Sequence, residues 1–528
     1  MKTHPKEREP DFAGGTEATG DEQIARPDDS AGLKAEGAGC HSKAEFSKAT
    51  ARSLGNGDLM DRLEADYPKG PHDQPQSMCP AFGSLRVGLR MRRVGTILSG
   101  SACCVYGLTF TSHFYGAKRS VGYVPFDSET LVTGKLFEDI VESVHKMADP
   151  KKFDAVVVTN LCVPTASGVP LQMLPRQING VRIVGIDVPG FGVPTHAEAK
   201  DVLSAAMLAY ARQEASEGPV LPPRDGLNDK PTVTLVGEVF PADPVVIGGM
   251  LDPMGLAAGP TVPVREWREL YSALDCAVVA GIHPFYTASF REFKAAGREI
   301  IGSAPIGLEG TDAWLSAIGE KCGIAAEKTN ISRNAMHGAI SAALGANRID
   351  GRITLSGYEG SELLVGRLLV ELGADLRYVG TACPRTPYSE EDAQWLEARG
   401  VEVRFRASLE QDLEAFEAFE PDLAIGTTPV VQKAKESATP ALYFTNLISA
   451  RPLMGPAGTA SLPGVISTAI ANKDRFLKMQ DFFEGVGQGD TSGIWQGVPE
   501  DKSGYRQKYA ARLKKSQNAV DNGESVGC

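Results

Sequence analysis

The sequence predicts an α/β chain of three Rossmann-like domains with parallel sheets, on three observations. From Val94 onward short apolar runs alternate with amphipathic stretches, those runs are too numerous for one comfortable sheet, and the residues before them lack core-forming composition. A strand–helix–strand rhythm of this kind implies right-handed parallel crossovers.

Residues 1–75 read as a disordered polar tail, rich in Gly, Ala, Asp, Glu and Lys and short of aromatic and β-branched residues. Residues 76–230 form a first Rossmann-like domain, with strands expected at Val94–Leu98, Ala155–Thr159 and Arg182–Ile186, and helices at Glu129–His145 and His196–Arg212. Residues 231–345 form a second, with strands at Thr232–Val236, Cys276–Ala280 and Glu299–Gly302 and a helix at Val264–Leu274. A third, 346–450, carries strands at Arg352–Ser356, Asp375–Gly380, Val401–Phe405, Leu423–Gly426 and Ala441–Phe444, separated by helices at Glu359–Leu372, Leu409–Phe419 and Val430–Glu436. Residues 451–528 hold a Gly/Pro-rich stretch, Met454–Gly464, a long helix, Val465–Phe483, and a tail packing back on the core, with a short basic helix at Tyr505–Lys515.

Acidic residues outnumber basic ones, 66 to 54, which argues against nucleic acid or an anionic membrane as the main partner. No run approaches the roughly 18 apolar residues that span a bilayer. The charged start of the chain lacks the apolar region of a signal peptide, so a cytoplasmic location is expected. No GxxxxGK(S/T) and no GxGxxG after a strand occur, so the Rossmann-like domains serve neither a Walker-type nucleotide site nor a classical dinucleotide site.

Chemistry concentrates in cysteine loops. Of nine cysteines, four fall between Cys79 and Cys162. The segments are Met78-Cys79-Pro80-Ala81-Phe82-Gly83, Gly100-Ser101-Ala102-Cys103-Cys104-Val105-Tyr106-Gly107 and Asn160-Leu161-Cys162-Val163-Pro164-Thr165-Ala166-Ser167-Gly168. The last two follow strands, where open α/β sheets place ligands. Soft thiolates from separate directions suit an iron–sulfur cluster, and small neighbours let backbone N–H groups approach its sulfurs. The competing reading of each is a small buried hydrophobe, since no CxxC pair occurs. One of Cys103 and Cys104 must in part be packed, because consecutive side chains of extended backbone point opposite ways.

These three segments resemble the ligand loops of the nitrogenase-like component family, which includes nitrogenase molybdenum–iron proteins, dark protochlorophyllide reductase and chlorophyllide a reductase. The runs Gly100–Gly116 and Met454–Ala460 resemble the chlorophyllide a reductase branch, and the likeness extends from Gln76 to about Gly487. The resemblance implies a molybdenum–iron-protein-like fold and pairing with a sister (Z) subunit, as a Y2Z2 heterotetramer. It also implies a 4Fe–4S cluster at each interface, held by Cys79, Cys104 and Cys162 with a fourth cysteine from Z, and makes Cys103 a packed neighbour. A separate ATP-binding iron-protein homodimer (the X subunit) would deliver electrons and use the ATP–Mg. The implied reaction is reduction of the C7=C8 bond in ring B of chlorophyllide a, for bacteriochlorophyll biosynthesis. The alternatives are a sister reductase acting on protochlorophyllide and a non-catalytic cluster or cofactor assembly scaffold.

In nitrogenase a C-terminal-domain histidine helps hold the catalytic metal cofactor, whereas the last histidine here is His337. The corresponding space is therefore expected to admit a flat tetrapyrrole, bordered by Gly455–Phe483 with Met454, Leu462, Val465 and Ile466. His283, in Gly281-Ile282-His283-Pro284-Phe285, is a candidate proton donor, its competing reading being a hydrogen-bonded loop histidine.

Overall fold

The computed structural model describes residues 77–114, 121–223 and 230–483; the N-terminal tail and the basic segment Tyr505–Lys515 lie outside these residues. Among the described residues three sheets form, each drawn from one continuous stretch. The first holds β1 (Val94–Gly100), β2 (Val121–Pro125), β3 (Ala155–Asn160), β4 (Gln177–Ile178) and β5 (Val181–Asp187) in the order β2-β1-β3-β5-β4. The second holds β6 (Thr232–Val236), β7 (Ala257–Val262), β8 (Val278–Gly281) and β9 (Ile300–Ile301), ordered β7-β6-β8-β9. The third comprises β10 (Arg352–Gly357), β11 (Asp375–Thr381), β12 (Glu402–Phe405), β13 (Leu423–Gly426) and β14 (Ala441–Tyr443), ordered β12-β11-β10-β13-β14. All pairings are parallel except β4 with β5.

Composition explains the central strands. In β1 and β3 every residue is buried, which suits a parallel strand covered by helices on both faces. The β2 and β7 strands went unseen in the sequence because they are edge strands, half-exposed, with no apolar run or clean alternation.

Strand order fixes where ligands can sit. In each sheet the chain leaves a central strand to one side and then resumes on the other, creating a crevice at the strands' carboxyl ends. That switch falls between β1 and β3, between β6 and β8, and between β10 and β13. The residues just beyond these strands include Cys103, Cys104 and Cys162 in the first sheet, Glu238 and His283 in the second, and Glu359 in the third.

Two helix expectations are corrected. The single helix read at Glu129–His145 is two, Ser128–Thr133 and Leu136–Met147, because Gly134 takes a left-handed turn (φ 69°) that closes the first. The Gly/Pro-rich stretch is itself helical: a helix runs Gly455–Ala471 with a proline in its first turn, where no N–H is needed, and Pro463 inside it. A second helix, Lys473–Phe483, follows. Leu462 and Ile466 are fully buried in the largest apolar cluster, beside Ile353, Leu423 and Trp314. They pack this chain's own core rather than facing a slot, so the expected apolar border of a substrate site does not form there.

Candidate metal centre

The three cysteine loops are positioned by three different devices. Cys79 stands one residue ahead of the helix Ala81–Arg90, whose N-cap is Pro80, and its carbonyl accepts the Phe82 N–H at 3.0 Å. That helix lies close against the long helix His196–Glu217; a side chain at Gly83 would run into the His196 carbonyl oxygen. Here glycine is required by close approach rather than by backbone conformation.

Cys103 and Cys104 open the helix Ala102–Phe114 at the end of β1. Because the pair is helical, its side chains do not point to opposite faces, and both cysteines are exposed. The expectation that Cys103 is packed is thus corrected; the alternation rule applies only to extended backbone. The Cys103 sulfur lies 3.0 Å from the Ser101 hydroxyl. That hydrogen bond, followed by one involving Cys104, pulls the Cys103 thiol below its ordinary range.

Cys162 begins the short helix Cys162–Ala166 at the end of β3. Its turn is pinned by Asn160, whose amide donates to Asp187 Oδ1 at 3.1 Å and to the Val169 carbonyl at 3.2 Å. The Thr165 hydroxyl donates to the same Asp187 oxygen at 3.0 Å. The Gly190 N–H points at the Cys162 sulfur at 3.2 Å. A thiolate held this way gains a backbone donor, the arrangement that tunes a metal-bound sulfur. No local motif marks Gly190, which lies 28 residues downstream.

Electrostatics links the Cys104 thiol to the other three. Burial first, then the charges of Cys103, Cys162 and Cys79, push the Cys104 thiol up. Cys79 is also pushed up, chiefly by burial and further by Cys162. Cys104 therefore feels both of the other loops, whereas the groups acting on Cys103 are its immediate neighbours. Mutual repulsion of this kind is reversed by a bound cation. Among the described residues no three His, Cys, Asp or Glu side chains converge on a single-ion position. A multi-iron cluster does not need that convergence, since each thiolate takes a different iron. The donor set of three accessible thiols, a backbone N–H on one sulfur and small flanking residues fits such a cluster.

Large apolar side chains are exposed close to the thiols in sequence. Tyr106 is 72% exposed, Phe191 44% and Val163 41%, each within two residues of a thiol or of the Gly190 donor.

His283 is brought to the second switch point but buried there. Its Nδ1 accepts the Glu238 N–H at 3.2 Å and its ring stacks on Phe285 at 5.6 Å. Burial, with the nearby Lys200 charge, pulls it down to about 4, so at neutral pH it holds no transferable imidazolium proton.

A feature without any sequence motif lies beside it. Lys200, 1% exposed, reaches across the carboxyl edges of two sheets to pair with Glu238 and, at 3.4 Å, with Glu359. Arg86 and Arg90, from the helix following Cys79, also pair with Glu238, at 3.3 and 2.7 Å. The His196 Nε2 meets Glu359 at 3.3 Å.

The architecture is that of a nitrogenase-type component. A solved structure of nitrogenase Cp1 at pH 6.5 superimposes with a TM-score of 0.60, covering 78% of this chain and 97% of that one, at 19% identity. The chain belongs to the nitrogenase component 1 type oxidoreductases, whose family profile matches residues 79–471. It is 67% identical over 491 residues to the chlorophyllide reductase 52.5 kDa chain of Cereibacter sphaeroides, covering 93% of this chain and 98% of the relative. The corresponding chain of Rhodobacter capsulatus is 66% identical, over 93% and 99%. Subunit N of the light-independent protochlorophyllide reductase of Synechococcus is 28% identical, but over only 33% of this chain and 44% of its own length.

Proposed function

We propose that this chain is the Y subunit of a chlorophyllide a reductase, acting with a Z subunit in the ATP-dependent reduction of the C7=C8 bond of ring B for bacteriochlorophyll synthesis. The observation that carries the reading is the 67% identity to a chlorophyllide reductase chain over nearly the full length of both proteins. The likeness to the protochlorophyllide enzyme, by contrast, covers a third of this chain. Cys79, Cys104 and Cys162 are the three thiolates this chain offers to a shared 4Fe–4S cluster, and the apolar rim of Tyr106, Val163 and Phe191 receives the Z subunit. Bound there, the cluster supplies single-electron storage between the iron protein and the substrate. The chain's own contribution is positional. Asn160 and Asp187 hold the Cys162 turn, the packing of Gly83 on His196 sets the Cys79 helix, and Gly190 donates to sulfur. A partner seated on the apolar rim excludes water from the thiolates. Anaerobic reconstitution of the Y–Z complex with the iron protein, ATP and chlorophyllide tests the reading by its absorption shift. An iron-replete complex that leaves chlorophyllide unchanged would favour the assembly-scaffold alternative.

Two further outcomes are expected. Cys103→Ser retains cluster iron, whereas Cys104→Ser loses it, because the charges of both other loops act on Cys104. Iron analysis of the two variant complexes checks this, and the reverse result moves the ligand by one residue. The Y–Z pair without the iron protein shows no saturable ATP binding by calorimetry, since the sequence of this chain has no phosphate-cradling GxxxxGK(S/T) loop. Tight binding would contradict the division of labour.

A further inference from the structure

We infer that His196 is a redox-linked proton acceptor: when the thiolate-held cluster proposed above gains an electron, the bare Nδ1 of His196 takes up a proton. The inference rests on that cluster reading and adds to it a place for the accompanying proton.

Three observations converge on this histidine. Its backbone is gripped from both sides of the Cys79 loop. The Ser77 hydroxyl accepts the His196 N–H at 3.0 Å, and the Gly83 backbone lies hard against the His196 carbonyl. The ring is fixed, with Nε2 on Glu359 at 3.3 Å and Tyr358 edge-on at 5.3 Å. Finally, Nδ1 is fully buried, and among the described residues nothing hydrogen-bonds it.

A neutral imidazole that donates Nε2–H to Glu359 leaves its lone pair on Nδ1. A buried nitrogen of that kind is a proton acceptor without a proton. The surroundings are finely opposed. Burial itself and Lys200, on the same helix, resist a positive charge on the ring; Glu359 and Glu238 favour it. Arg86 and Arg90 face the same centre from the Cys79 helix through Glu238, and Tyr358 approaches from the third sheet. In such a balance one added negative charge on a neighbouring cluster shifts the histidine toward its imidazolium form. A one-electron donor is oxidised and the cluster reduced, while an O–H bond of a solvent hydronium breaks, the Nδ1–H bond forms and a water molecule is released. The proposed reaction consumes electrons and protons in equal number, so storing one with the other keeps the charge of the interior constant.

The test is a redox titration of the anaerobic Y–Z complex, followed by the paramagnetic signal of the reduced cluster at several pH values. The midpoint potential of the wild-type complex should fall by up to about 59 mV per pH unit, the one-electron equivalent of a tenfold change in proton concentration. His196→Gln keeps a donor toward Glu359 but cannot titrate, and should give a potential independent of pH at unchanged iron content. Glu359→Gln removes the carboxylate that favours the imidazolium and should move the sloping window to lower pH. This second variant decides the matter if His196→Gln loses its iron. A flat wild-type potential, an unaltered slope in His196→Gln, or an unmoved window in Glu359→Gln overturns the assignment while leaving the cluster reading intact. A wild-type complex without iron overturns both.

Discussion

Replacing Cys162 by alanine strips the cluster iron from the Y–Z complex and reduces chlorophyllide turnover to background. Alanine is a good helix former, and Cys162 opens a short helix without being part of an apolar cluster, so the fold should survive. What disappears is a thiolate, together with the acceptor of the Gly190 N–H. Two of the three proposed ligand thiolates then remain, and an iron without its ligand would open to solvent. Changes to groups one step behind a metal ligand already cost roughly 10–100-fold in affinity or activity; loss of the ligand itself should exceed that range. Iron content, the visible absorption of the complex and turnover are the measurements, with circular dichroism melting as the folding control. Full iron and an unchanged rate in Cys162→Ala would sink the ligand assignment.

The second large effect is on stability. Lys200→Met should destabilise the chain by about 3–5 kcal/mol near neutral pH, the usual cost of removing one partner from a buried ion pair. Without the lysine, Glu359 keeps only His196, Thr445 and more distant charges. In the wild type, Lys200 leads the charges holding the Glu238 and Glu359 carboxyls well below their ordinary range, against the opposing effect of burial. Carboxylates depressed in this way add stability at pH values above their unfolded pKa, and that stability is lost as pH falls toward the folded values. Removing Lys200 takes away the leading charge that offsets burial, so the Glu359 pKa rises relative to wild type, and the variant is penalised most where the carboxylate must stay charged. The difference in melting temperature between wild type and Lys200→Met should therefore be larger at pH 8 than at pH 5. An equal difference at both would mean that the lysine acts through packing alone.

How much of this was legible beforehand depends on range along the chain. Central strands such as Ala155–Asn160 announce themselves as unbroken apolar runs, and the small residues beside Cys79, Cys104 and Cys162 are visible as text. Helices such as Ala326–Ala346 were missed because Ala, Gly and Ser populate them all round and leave no apolar stripe. The Gly455–Ala471 helix was hidden for a different reason. Its glycines and prolines read as a turn, but Pro456 sits in the first turn and burial of Leu462 and Ile466 outweighs the break at Pro463. The charged centre could not be seen at all. Lys200 meets Glu238 across 38 residues and Glu359 across 159, and only the crossing of two sheets' switch points brings them together. His283 illustrates the same limit: its placement after a strand was readable, its burial was not.

Exposed apolar side chains flank the exposed thiols along the chain, and this has a bearing on how the chain must be handled before assembly. An uncovered patch of aromatic and aliphatic side chains favours self-association. The same contact would bring Cys103 and Cys104 of one molecule toward those of another. In air, accessible thiols advance to sulfenic acid and then to intermolecular disulfides, consuming the very ligands the cluster needs. Oxidative damage and aggregation are thus linked liabilities of the orphan chain, and a partner that covers these loops lowers both.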